Sequence, residues 1–118
     1  MNTKSPECYT TDPQARCLRI EISPGRLLLL PLDQFAFAEF NTDDKEQLLH
    51  LSFATHEIMI RGNALRRIET AMHRLELSFI TPLPAKYHPL LAEGQPKIRE
   101  IVVVENKSFD SQPQASLN

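Results

Sequence analysis

Glycine is scarce in this chain and scattered: three residues, none beside another. No glycine-rich loop is therefore available to wrap a phosphate. Cysteine is scarcer still. Two cysteines, Cys8 and Cys17, do not make a disulfide framework, and they read as one loose thiol in a polar stretch (Cys8) and one half-buried thiol at the start of a strand (Cys17). Gly-x-Ser-x-Gly, His-Glu-x-x-His and Cys-x-x-Cys are all missing, which removes the usual sequence marks of a serine hydrolase, a zinc protease or a dithiol redox site. Long apolar runs are missing too. The longest, Leu27–Leu30 continuing through Pro31 to Leu32, is a strand's worth, so no membrane insertion is expected. Charge of one sign is not in excess: 13 Lys and Arg face 15 Asp and Glu, a formal net charge of −2. A general nucleic-acid binder would be strongly basic. Met1–Pro6 is polar and lacks the apolar core of a secretory signal, which makes the cytoplasm the default compartment.

What is present is an ordinary soluble composition, 42% hydrophobic and 24% charged over 118 residues, enough for one domain with a real core. Residues 1–16 and 106–118 contain few large apolar side chains and read as flexible tails, because they have too little to bury against the entropy of ordering them. The folded unit expected is 17–105.

Within it, Leu18, Ile20 and Ile22 alternate with Arg19 and Glu21 as in a half-buried strand. Pro24-Gly25 makes a tight turn. Arg26–Leu30 follows, apolar on both faces, which predicts a strand that is central or covered on both sides, ended by Pro31. Gln34–Phe40 alternates large and small residues, and Asn41–Lys45 is a charged turn. In Glu46–Phe53 the apolar positions are Leu49, Leu51 and Phe53; in Glu57–Arg61 they are Ile58 and Ile60. That switch of parity cannot occur within one regular strand, so a turn is expected at Ala54–His56. The Gly62-Asn63 pair then marks a strand feeding directly into a helix over about 64–76, with Asn63 as N-cap and Leu65, Ile68, Met72 and Leu75 on one face. Leu77–Thr81 is extended, with Leu77 and Phe79 on one side. Pro82–Pro96 is an irregular loop packed on the domain, and Ile98–Val104 is a last, buried strand.

The pattern predicts an α+β fold: a mostly antiparallel, curved sheet of five to seven short strands with one amphipathic helix against it. Strongly bent, such a sheet resembles a pleckstrin-homology-like fold or another small, partly open barrel. The resemblance is one of architecture and rests on no motif.

Candidate chemistry is sparse. His50, His56, His73 and His88 show no metal-site spacing. Glu69 and His73, four apart on the helix, form an ordinary surface pair. His50 or His56 with Cys17 would make a nucleophile–base couple only if the fold brought them into one pocket, the basis of an enzyme reading with a site assembled from scattered residues. No cofactor and no metal is implied. The one anomaly is basic. Arg66 and Arg67 fall in the first helical turn, where the dipole disfavours cations, and helical projection groups them with Thr70 and Arg74 on an outer quadrant that Arg61 precedes. Arg61, Arg66, Arg67 and Arg74 are thus candidate ligands for an anion, a nucleic-acid phosphate or a partner's carboxylate; alternatively they form a solvated face paired with the acidic turn Asp43–Glu46. The leading expectation is a non-catalytic binding or assembly module, a homodimer or a binder of another protein, whose apolar strands Leu27–Leu30 and Val102–Val104 need cover on both faces.

Overall fold

The computed structural model describes residues 7–43 and 45–106. The fold is α+β and mostly antiparallel, as the pattern predicts. The described residues form eight strands in two four-stranded sheets rather than five to seven in one curved sheet, and these sheets are not closed into a barrel. The strands are β1 (Tyr9–Thr11), β2 (Cys17–Ser23), β3 (Arg26–Pro31), β4 (Phe35–Thr42), β5 (Gln47–Phe53), β6 (His56–Asn63), β7 (Leu77–Ile80) and β8 (Lys97–Glu105), with helix α1 (Arg66–His73) between β6 and β7. Sheet A has the order β1-β7-β2-β3 and sheet B the order β4-β5-β6-β8.

Alternation places the core. Leu18 and Ile20 of β2 with Leu30 of β3, Leu49 and Leu51 of β5, and Ile58 and Ile60 of β6 point inward into one buried cluster. Helix α1 adds Ile68, Ala71 and Met72, and the residue before it adds Leu65. At roughly 2 kcal/mol for each fully buried large aliphatic side chain, this cluster is the main favourable term in folding.

The parity switch between β5 and β6 is a hairpin turn at the place expected, with Ser52 opposite Glu57. Other expectations are corrected. Residues 7–16, read as part of a flexible tail, contain β1, which pairs with β7. Cys8 beside it is buried, and its Sγ–H is directed at the Pro96 carbonyl, 3.5 Å away. Cys17 is the exposed thiol. The rest of the expected tails, 1–6 and 107–118, lies outside the described residues.

β3 is an edge strand, with Leu27 52% and Leu29 51% exposed. The apolar run lacks the double cover its composition suggests, because among the described residues it pairs only with β2. β8 is likewise an edge, and Val102 and Val104 are exposed. Irregular register in β4 puts Phe35 opposite Phe53 but Phe37 opposite Ser52, so Phe37 faces outward. In β7, Thr10 pairs with Phe79 but Thr11 with Leu77; Leu77 and Ile80 are both buried and Phe79 is not.

The helix is shorter at both ends than 64–76. β6 runs on through Gly62 and Asn63. Asn63 caps nothing; its amide donates to the Lys45 carbonyl at 3.3 Å. The chain turns instead at Ala64, whose φ of 56° is left-handed, and the Leu65 N–H donates to Gln47 Oε1 at 2.7 Å. Gly62 has a different task. A Cβ there would lie 1.9 Å from the Lys97 carbonyl oxygen, so glycine lets β8 approach β6 where their register slips. At the other end Leu75 has φ 56°. Its N–H bonds to the Met72 carbonyl, and the Glu76 N–H bonds to that of Ala71, the paired arrangement that closes a helix through one left-handed residue. Leu75 is therefore turned out of the helical face and is 47% exposed.

Candidate functional site

The outward face of sheet A follows from the β2–β3 register. Arg19 is opposite Leu29, Ile20 opposite Leu28, and Glu21 opposite Leu27. Directly paired residues project to the same side of a sheet, and Ile20 is buried. Arg19, Glu21, Leu27 and Leu29 therefore form one block on the solvent side. Phe79 of β7, opposite Arg19, extends the same row. Among the described residues neither Arg19 nor Glu21 belongs to an ion pair.

The outward face of sheet B is different. His50 Nε2 lies 2.6 Å from Glu57 Oε1, Ser52 Oγ donates to Glu57 Oε2 at 3.0 Å, and Asn106 Nδ2 donates to the same oxygen at 2.9 Å. Burial pushes the Glu57 carboxyl up; hydrogen bonds from Asn106, His50 and Ser52 outweigh that and hold it below the ordinary carboxylate value. The Phe37 ring meets the His50 ring edge-on at 5.8 Å between centroids. Further along, Arg99 is hydrogen-bonded to Glu46 through Nε and Nη2, and Glu100 lies between Arg99 and Arg61 at 3.7 and 4.0 Å. The bond from Arg99 lowers the Glu46 pKa.

The four candidate arginines divide. Arg66, Arg67 and Arg74 line one depression with Thr70, Tyr9, Thr11 and Glu76. The Arg66 guanidinium lies over the Phe40 ring at 5.0 Å. Arg61 is on β6, outside that lining, beside Glu100. Among the described residues the acidic turn does not take the helix arginines: the Asp43 carboxylate accepts from the Lys45 and Glu46 N–H groups, and Glu46 belongs to Arg99.

The enzyme constellation does not assemble among the described residues. Cys17 is on sheet A opposite Pro31, whereas His50 and His56 are on sheet B opposite Met59 and Glu105. His56 Nδ1 bonds to Thr55 Oγ1 at 2.8 Å. Within the Ser52–Glu57–His50 cluster both the hydroxyl and the imidazole meet the carboxylate, so serine is not bonded to a histidine base. A groove of about 590 Å³ runs between the β2–β3 turn and Thr81–Ala85, walled by Ile22, Pro24, Pro82, Leu83 and Pro84. Its His88 Nε2 donates to the Leu83 carbonyl at 3.0 Å, and its Arg99 is held by Glu46. Among the described residues no three His, Cys, Asp or Glu side chains gather as metal ligands, and no helix is long and apolar enough to cross a membrane.

In comparison with known proteins, no family model, no curated protein and no solved structure matches the chain.

Sequence reasoning identified Leu27 and Leu29 as strand residues needing cover but did not identify the Arg19–Glu21 pair beside them. The signal was there in their i, i+2 spacing. It became meaningful only once β3 was placed at an edge.

Proposed function

We propose that this protein is a non-catalytic assembly module that self-associates through the outer face of sheet A at β3. The observation carrying this reading is the contrast among the sheet edges. β1 is three residues long and polar beyond Tyr9, β4 sets its exposed Phe37 beside Glu39, and β8 sets its exposed Val102 and Val104 among Lys97, Arg99, Glu100 and Glu105. Shortness and charge are how edges are protected from pairing. β3 has Arg26 at its start and Pro31 at its end, with four leucines between, and two of these are half bare. An exposed apolar strand of this kind is a surface for association. Light scattering after size exclusion tests it. The wild-type chain should have the mass of a dimer, and Leu27→Lys with Leu29→Lys should give a folded monomer. A wild-type chain that stays monomeric at several hundred micromolar would sink the reading.

A second reading has its own observation: Arg66, Arg67 and Arg74 share one depression with Thr70, a lining suited to a phosphate group. Binding of a short oligonucleotide there should weaken steeply with added salt, and Arg67→Ala with Arg74→Ala should abolish it.

A further inference from the structure

On the strength of the assembly reading, we infer that the partner is a second copy of this chain, stacked face to face on sheet A about a two-fold axis along the Ile20–Leu28 row, so that Arg19 of each copy meets Glu21 of the other. The inference comes from register. Arg19 and Leu29 lie one step to one side of the Ile20–Leu28 pair, and Glu21 and Leu27 one step to the other. A two-fold axis along that row, in the plane between two stacked sheets, reverses the strand direction and leaves each strand above its own copy. Leu29 then lies over the partner's Leu27, and Arg19 over the partner's Glu21, each contact occurring twice. The block is thus self-complementary in shape and in charge, as an isologous interface requires. Both charged groups lack an ion-pair partner among the described residues, and both leucines are half exposed.

Stacked sheets pack about 10 Å apart, a gap that an arginine and a glutamate reaching from opposite sides span. The rival geometry is pairing of β3 with a second β3 in one continuous sheet. It sets the same leucines beside their copies on one open face but leaves Arg19 and the partner's Glu21 about three strand spacings apart, roughly 14 Å. Charge therefore separates the two.

The test is a charge-reversal cycle on the full chain, read as the dimer dissociation constant by sedimentation equilibrium, with circular dichroism to establish folding. Arg19→Glu and Glu21→Arg should each weaken the dimer tenfold or more, because each puts like charges together at two places. The double variant carrying both reversals should return to within about threefold of wild type, since both cross-contacts are then restored with opposite sense. Single reversals that leave the constant unchanged, or a double variant as weak as the singles, would overturn the stacked arrangement. Should either reversal unfold the chain, Arg19→Gln and Glu21→Gln carry the same test, each expected to weaken the dimer at low salt and to lose that effect at high salt. A wild-type monomer instead refutes the assembly reading itself. A dimer broken by Leu27→Lys with Leu29→Lys but indifferent to charge reversal keeps that reading and refutes only the geometry.

Discussion

The two sheets present opposite solutions to having one face in water. Sheet B settles its polar groups within itself: Glu57 gathers His50, Ser52 and Asn106, and Glu46, Arg99, Glu100 and Arg61 form a chain of alternating charge. Among the described residues, sheet A leaves Arg19 and Glu21 without ion pairs and Leu27 and Leu29 half bare. Both faces arise from the same alternation of residues. The difference is that the polar groups of sheet B complete one another, with Phe37, Val102 and Val104 left bare beside them, whereas Arg19 and Glu21 of sheet A find no ion pair among the described residues. On the proposed assembly, the charged groups of sheet A are completed by the second copy, whereas those of sheet B are completed within the chain.

That contrast can be broken most severely at Gly62. Gly62→Ala forces β8 away from β6 through the overlap with the Lys97 carbonyl, and urea unfolding should show a loss of about 3 kcal/mol, the upper range for overpacking. The equivalent change at Gly25, whose φ is 85° with open space around it, should cost only about 1 kcal/mol, the strain of a left-handed alanine.

The next largest effect sharpens the polar side of the comparison. Glu57→Gln replaces hydrogen bonds to a carboxylate with weaker ones and should lower stability by about 1.5 kcal/mol at neutral pH. Its pH dependence has a definite sign. The Glu57 pKa is lower in the folded chain than its ordinary 4.5, so its contribution is complete above about that pH and is lost as the pH falls through the lower folded value. Stability measured from pH 6 downward should decline more steeply for wild type than for Glu57→Gln.

A smaller effect, opposite in direction, is expected at Leu75. Leu75→Gly removes an exposed side chain from a left-handed position and should raise stability by about 1 kcal/mol in thermal unfolding. Smallest in energy is a chemical contrast between two thiols. Burial raises the Cys8 pKa to about 11, so this thiol stays protonated at pH 8. An alkylating reagent should modify Cys17 alone in the native chain and both thiols in denaturant, with mass spectrometry as the readout. Native modification of Cys8 would show that its site opens readily.

Periodicity made the local elements legible. The odd-to-even switch from Leu51 to Ile58 fixed a hairpin, and Leu65, Ile68 and Met72 marked a helix whose apolar side is dry. Pairing was not legible, because it is decided by contacts between distant segments. Tyr9–Thr11 carries little apolar mass and becomes a strand only because β7 offers it a partner about 70 residues on. The Leu27–Leu30 run looks central by composition, yet no strand of the described residues arrives on its far side. Irregular register at Phe37 and Ser78 moved side chains to the face opposite to that suggested by simple alternation. The arginine quadrant was legible as a helical projection for Arg66, Arg67 and Arg74. Arg61 was grouped with them by nearness in sequence, and the extra turn at Ala64 carried it onto the other sheet. The Glu57 cluster was missed because its members come from two strands and from Asn106, a residue read as the start of a tail.

The insertion of β7 between β1 and β2, parallel to β2, has a temporal consequence. The β2–β3 and β5–β6 hairpins are made from neighbours and form early, while sheet A stays incomplete until Leu77–Ile80 returns from beyond the helix. During synthesis the leucine-rich hairpin must therefore wait, greasy and unroofed, for some fifty residues to emerge before its neighbour arrives. Pulsed hydrogen exchange during refolding should find amides of β1 and β7 protected after those of β5 and β6, and a chain cut short before residue 77 should clump rather than fold.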